Sequence, residues 1–184
     1  MYTYSAYLWP SFISTALVAC LSWYGWRRRK VAGALPFALG CLFAVAWSVG
    51  AILEAAAVDP GTKVLWLKFQ VVWQLPVVTA GTLFLIEYAG FDRWLTTRVV
   101  SLLAAPSVLL AAFIATNGLH HLAWVGFAFE AGEITPLRGP VITGAFAVSY
   151  VLSAFNLGMF GWLFFKFPRH RWPSASARPC PPCG

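Results

Sequence analysis

Charge is scarce in this chain. Of its 184 residues, 10% are Asp, Glu, Lys or Arg, only six are acidic, and 60% are hydrophobic. A soluble domain carries about 25% charged and ~45–50% apolar residues, so the composition is that of an integral membrane protein. Room is scarce as well. At ~20 apolar residues per spanning helix, the length allows roughly five or six spans and leaves no space for a catalytic domain of about 100 residues. The net charge of +7 does not bring nucleic acid with it, because no run of Lys and Arg is interleaved with polar or stacking residues. A signal peptide is not expected, since the first nine residues hold no positive charge and the basic residues follow the first apolar run. A fixed-period internal repeat is also missing, which argues against solenoids and a repeat-built transporter core.

Five long apolar runs remain, at residues 7–26, 35–57, 64–89, 99–116 and 141–165. Backbone polar groups cannot stand unpaired in hydrocarbon, so such runs form helices or a closed barrel, and the lack of period-two alternation selects helices. The expected fold is an all-α bundle of about five transmembrane helices over residues 1–165, followed by a basic, Pro-rich tail at 166–184.

The cations sort by connection. Arg27, Arg28, Arg29 and Lys30 follow the first run, Arg93 and Arg98 the third, and Lys166, Arg169, Arg171 and Arg178 the fifth, against Lys63, Lys68 and Arg138 on the opposite side. Ten against three predicts an outside N-terminus and a cytoplasmic tail in a bacterial inner membrane. The cluster at 27–30 reads first as a stop at the inner surface, and second as a site for lipid headgroups or a docked protein.

Polar residues within the runs are the candidate site. Glu54 and Lys68 each lie seven residues from Gly61 in the second turn, so a hairpin brings them to one depth, where opposite charges are expected to pair. That pair is either a structural bridge or half of a ligand or proton site. Gln70 and Gln74, spaced i, i+4 and sharing a face with Trp66, predict a polar stripe directed into the bundle, as interhelical glue or as the lining for a polar or quinone-like ligand. Glu87 is expected to reach the membrane interface or one of Arg93 and Arg98, and Asn156 is a lone polar group in the last run.

Small residues at four-residue spacing, Gly40, Ala44, Ser48 and Ala145, Ser149, Ser153, mark helix-contact faces, within the chain or with another chain. Pro36, Pro76 and Pro106 are placed to kink helices and open a cavity. His120 and His121 form a possible outer-loop site. Adjacent helical positions point about 100° apart and two ligands fall short of a zinc site, so anchoring or loop hydrogen bonding is the expectation, with no metal. Residues 124–137 read as a short surface hairpin. Cys180 and Cys183, with two prolines between them, lack the further ligands or the βαβ context that zinc or redox chemistry needs. Cys20 reads as an ordinary thiol rather than a lipidation site. Trp9, Trp26, Trp66, Trp94 and Trp124 suggest an aromatic belt, and Trp47, Trp73 and Trp162 lie deeper, to pack in the bundle or against an aromatic ligand.

A family likeness sits on these same residues. The stretch from Trp47 to Ala56 containing Leu53-Glu54, then Leu65-Trp66-Leu67-Lys68-Phe69-Gln70, Pro76, Phe84-Leu85-Ile86-Glu87-Tyr88-Ala89-Gly90 and Thr116-Asn117-Gly118-Leu119-His120-His121-Leu122-Ala123-Trp124 resemble, in order and spacing, the seven-helix N-terminal membrane region of bacterial sensor histidine kinases. The resemblance implies an input domain joined to a cytoplasmic kinase. After Phe167-Pro168-Arg169-His170-Arg171 it would imply two more spans and signalling domains. Here a Pro-rich tail follows instead, with no phospho-acceptor His box and no Gly-rich nucleotide motif.

Two roles follow as expectations. One is a non-enzymatic accessory or scaffold subunit of a larger membrane assembly, for example photosynthetic or respiratory, with other membrane subunits as partners. The other is a receptor module binding a small or lipid-like ligand near Glu54, Lys68, Gln70 and Gln74. Neither requires a cofactor, and whether a pigment, quinone or lipid is bound stays open.

Overall fold

The computed structural model describes residues 2–3, 8–130 and 133–166. Five long helices carry the architecture: α1 (Trp9–Arg27), α2 (Ala34–Ala56), α3 (Pro60–Tyr88), α4 (Thr97–Ala115) and α6 (Pro140–Lys166), with a one-turn helix α5 (Asn117–His120) and an antiparallel hairpin, β1 (Trp124–Glu130) and β2 (Glu133–Arg138), between α4 and α6. Four of the helices, α2, α3, α4 and α6, are long and apolar enough to cross a membrane. Of the five expected spans, the first falls short of that measure: α1 has the length, at 19 residues, but its serines and its Trp and Tyr residues make it less apolar than the rest. The expected tail, with Arg169, Arg171, Arg178, Cys180 and Cys183, lies outside the described residues, and α6 runs one residue past the predicted boundary to Lys166.

Local chemistry sets the helix ends. Asp59 caps α3, its carboxylate accepting from the Thr62 backbone N–H (2.8 Å) and hydroxyl (3.0 Å), with Pro60 opening the helix. Thr96 caps α4 through the Val99 N–H at 3.4 Å. Gly33, at φ +80°, starts α2 in a conformation that L side chains rarely adopt. At the end of α1, Arg27, Arg28 and Arg29 fold back over the rings of Trp23, Tyr24 and Trp26, with 4.9, 5.5 and 5.5 Å between guanidinium and ring centre. Such arginines stay at an interface between water and an apolar phase.

The helices α1, α2 and α3 pack in sequence as antiparallel neighbours. The α2–α3 seam is the tightest, because Gly40 faces Ala80 and Gly50 lets the Gln70 and Phe69 side chains through; a Cβ at Gly50 would lie 2.7 Å from Gln70 Cγ. On the other side of α3 sits the buried core of Leu75, Leu110, Ile114, Ala123, Trp124 and Ile142, where α3, α4 and α6 meet under the hairpin. Trp124 is only 2% exposed. It belongs to this core and not to an interfacial belt, because the turn before β1 folds back over the bundle and drives the ring inward.

Asn117 makes that turn. It is 6% exposed; its carbonyl oxygen accepts from Ala123 N (2.8 Å) and Trp124 N (3.1 Å), and its amide donates to the Trp124 carbonyl (3.2 Å). The return into α6 passes Gly139, where a Cβ would meet the Leu122 carbonyl oxygen at 2.2 Å, so no side chain fits.

Candidate ligand cavity

The candidate site lies between α2, α3 and α4. A cavity of about 740 Å³ opens there, walled by Phe43 and Leu39 of α2, Trp73 and Leu83 of α3, and Val108 and Ala111 of α4 among others. Small-molecule sites span roughly 300–1,000 Å³, so this one is of ligand size. Pro36 and Pro76 are on its wall. Pro76 inside α3 has no N–H to give the Val72 carbonyl, and Pro106 inside α4 does the same to Leu102, so both helices are weakened beside the space. Along α3 the lining runs from Val72 to Glu87, about 22 Å at 1.5 Å per residue.

Three residues of the lining each carry a buried polar atom with no partner among the described residues: the Trp73 indole N–H, the Thr79 hydroxyl and the Ser107 hydroxyl. Thr79 is 5% exposed. Some other hydroxyls bond a carbonyl one turn back, Thr82 to Val78 at 3.0 Å and Thr116 to Ala112 at 2.8 Å, as Thr79 and Ser107 do not. A buried polar group without a partner costs about 1–3 kcal/mol, and no water in hydrocarbon stands ready to satisfy it. These three atoms have almost no accessible surface, so they lie behind the apolar wall and do not face the space. Trp73 also stacks on Phe43, 5.8 Å between ring centres and 22° between planes, giving the cavity an aromatic wall. Its charged lining is one Arg29 and one Glu87, both at the end where α1 and α3 finish.

The cluster anticipated around Glu54 does not assemble as expected. Glu54 accepts a hydrogen bond from Gln70, whose side chain crosses at Gly50. Lys68 does not join them: it lies over the rings of Trp124 (6.0 Å) and Phe127 (5.8 Å), because two residues along a helix amount to about 200° of rotation and carry it to the opposite face. Gln74 leaves the stripe too. It borders a space of about 10 Å³, room for one water, beside Ser149 at the α3–α4–α6 junction. The four residues thus point in three directions, and none of them lines the large cavity.

Part of each small-residue face packs within the chain. Gly40 meets α3 at Ala80, with Ala44 and Ser48 half-buried above it on α2, while Ala145 and Ser149 face the α3–α4 core and Ser153 is half-buried one turn on. Glu87 pairs with neither Arg93 nor Arg98 among the described residues; it faces the cavity, and the reversal at Gly90 (φ +79°) leaves both arginines exposed. Asn156 donates to the Val78 carbonyl (3.4 Å), and its own buried oxygen is unpartnered. His120 is a local turn residue: Nδ1 accepts from Leu122 N, Nε2 lies 3.0 Å from the Thr116 hydroxyl, and the ring meets Phe113 edge-on. His121 closes α5 at φ +52°. No group of three or more potential metal ligands occurs among the described residues.

Phe43, Thr79 and Ser107 escaped the sequence reading. Single hydroxyls are unremarkable in apolar runs, and the available signal was their placement three residues after Pro76 and one after Pro106.

These features define a multi-pass helical membrane protein with a ligand-sized cavity among its helices. The chain belongs to the family of the N-terminal 7TM region of histidine kinase, whose family model matches residues 10–176. The region so defined is the membrane sensor-like module, distinct from the kinase domain. No curated protein and no solved structure matches the chain significantly.

Proposed function

We propose that this chain is the ligand-sensing input module of a histidine-kinase-type receptor in the bacterial inner membrane, and that its ligand occupies the α2–α3–α4 cavity. The observation that carries the reading is a ligand-sized apolar space of about 740 Å³ among α2, α3 and α4, with the Phe43–Trp73 stack on its wall. Pro76 and Pro106 supply the bending points, so that filling the cavity shifts α3 against α4 and the shift passes to a kinase on the cytoplasmic side. The Arg-rich ends of α1 and the α3–α4 turn face the cytoplasm in this reading, in keeping with the positive-inside rule.

Distance measurements between spin labels test it. With the native cysteines replaced and labels at exposed Leu42 of α2 and Leu102 of α4, a bacterial lipid extract is expected to shift the distance distribution relative to synthetic phosphatidylcholine. Ala104→Phe, which places a ring within the cavity, is expected to remove the shift. An unchanged distribution in the parent chain would overturn the proposal. Orientation is checked separately: a cysteine at Leu119 should react with an impermeant maleimide from outside intact cells, and protection there would reverse the topology.

A further inference from the structure

We infer that the turn from α1 into α2 is a binding site for the phosphodiester head group of an anionic phospholipid in the adjoining leaflet. Arg27, Arg28, Arg29 and Lys30 are consecutive and exposed, and all four line one open hollow of about 390 Å³ together with Trp26 and Val31. The span α2 begins at Ala34, three residues beyond Val31, so the hollow sits at the depth where a bilayer places its phosphates, whichever leaflet it faces. Neither the cavity nor the orientation proposed above is needed for that placement.

The arginines are held ready for a phosphate. Arg27 lies over Trp23, Arg28 over Tyr24 and Arg29 over Trp26, with 4.9, 5.5 and 5.5 Å between guanidinium and ring centre. A guanidinium laid on a ring turns its face to the π cloud and keeps its N–H edge free, and that edge matches two phosphate oxygens at once. Ring contact also restricts the arginine rotamers before anything binds, so less freedom is lost on binding. Lys30 adds a compact charge. Among the described residues no ion pair involves any of the four. Glu87 shares the wall of the larger space with Arg29, and one carboxylate leaves the excess strongly positive. Like charges in succession repel, and an anion set among them relieves that repulsion.

Head-group chemistry selects among lipids. The phosphate of phosphatidylcholine carries a trimethylammonium that the four cations repel, whereas phosphatidylglycerol offers the same phosphate with hydroxyls and a net negative charge. Topology by the positive-inside rule asks only for cations near the membrane, while bidentate capture of a phosphate asks for guanidinium at these positions.

Native mass spectrometry of the purified full chain in an uncharged detergent measures its affinity for phosphatidylglycerol and for phosphatidylcholine of the same acyl chains. Each cation near a lipid surface contributes about fivefold in affinity, so the parent is expected to hold phosphatidylglycerol at least ~10-fold more tightly. The triple variant Arg27→Gln, Arg28→Gln, Arg29→Gln is expected to bind both lipids equally. Arg93→Gln with Arg98→Gln removes two exposed cations from another connection and should leave the parental preference. Arg27→Lys, Arg28→Lys, Arg29→Lys keeps the charge and should lose affinity for phosphatidylglycerol several-fold. Equal affinity of the parent for the two lipids would overturn the inference and leave the cluster to topology or to an acidic protein segment. A loss in the Arg93 and Arg98 variant as large as that in the triple glutamine variant would overturn the site in favour of diffuse surface charge. Parental affinity in the lysine variant would overturn the bidentate assignment. Displacement of phosphatidylglycerol by inorganic phosphate would give the hollow to a free anion and overturn the lipid. Circular dichroism of each variant verifies that the helices are intact.

Discussion

Replacing Asn117 by Ala removes one side chain and three hydrogen bonds. The Asn117 oxygen holds Ala123 N and Trp124 N at 2.8 and 3.1 Å, and its amide holds the Trp124 carbonyl at 3.2 Å, all in a buried setting. At about 1 kcal/mol net for each bond, the expected loss is ~3 kcal/mol, or about 100-fold in the folding equilibrium. The true cost leans higher if the freed backbone groups stay buried, and lower if the turn opens to water. The loss should concentrate locally, since the same bonds hold Trp124 in the core with Leu75, Leu110 and Ile142. Reversible unfolding in mixed detergent micelles, titrated with dodecyl sulfate and followed by fluorescence, measures it. Leu119→Ala, two residues away and 87% exposed, serves as the control and is expected to fall within about 0.5 kcal/mol of the parent. A loss at Asn117 below ~1 kcal/mol, or equal to that at Leu119, would refute the claim that this side chain holds the hairpin to the bundle.

Three further outcomes follow from the geometry. In double-mutant cycles, Glu54→Gln with Gln70→Leu should couple by about 1 kcal/mol or more, whereas Glu54→Gln with Lys68→Met should couple by less than ~0.3 kcal/mol; a strong Glu54–Lys68 term would contradict the observed separation. Asp59 has its carboxyl held below its ordinary value of 3.8, first by the Thr62 backbone N–H and then by the Thr62 hydroxyl. The folded state therefore favours the ionised form: this stability is fully present above the ordinary value, is lost as pH falls through the lowered folded value, and should vanish from the acid limb of the unfolding profile in Asp59→Ala. Gly139→Ala should be poorly tolerated, because its methyl would lie 2.2 Å from the Leu122 oxygen; protease sensitivity at residues 120–140 well above the parent's is expected, and parental resistance would show that the backbone can give way.

The helices themselves were legible in the chain. Apolar runs at 35–57, 64–89, 99–116 and 141–165 foreshadow α2, α3, α4 and α6 to within a few residues, because hydrocarbon leaves the backbone no alternative to helix. The hairpin at 124–137 was visible for a similar local reason, alternating bulky residues around a Gly-containing turn. Family membership was legible as well, in short segments such as the one from Phe84 to Gly90. The candidate site was mostly not. Polar residues in an apolar run stand out by composition, which drew notice to Glu54, Lys68, Gln70 and Gln74. Which way each points depends on helix rotation and on what crosses beside it.

Composition and run length, both local properties, determined that this is a polytopic helical membrane protein. Solvation of the backbone and of charge acts residue by residue, so a linear reading suffices for it. Tertiary structure alone decided that Glu54 is held by Gln70 while Lys68 turns toward Trp124, and that Phe43, Trp73 and Val108 wall one unfilled space. A cavity is a place where packing fails to fill volume between helices distant in sequence. No residue carries that property by itself, and so it emerges only when α2, α3 and α4 are set side by side.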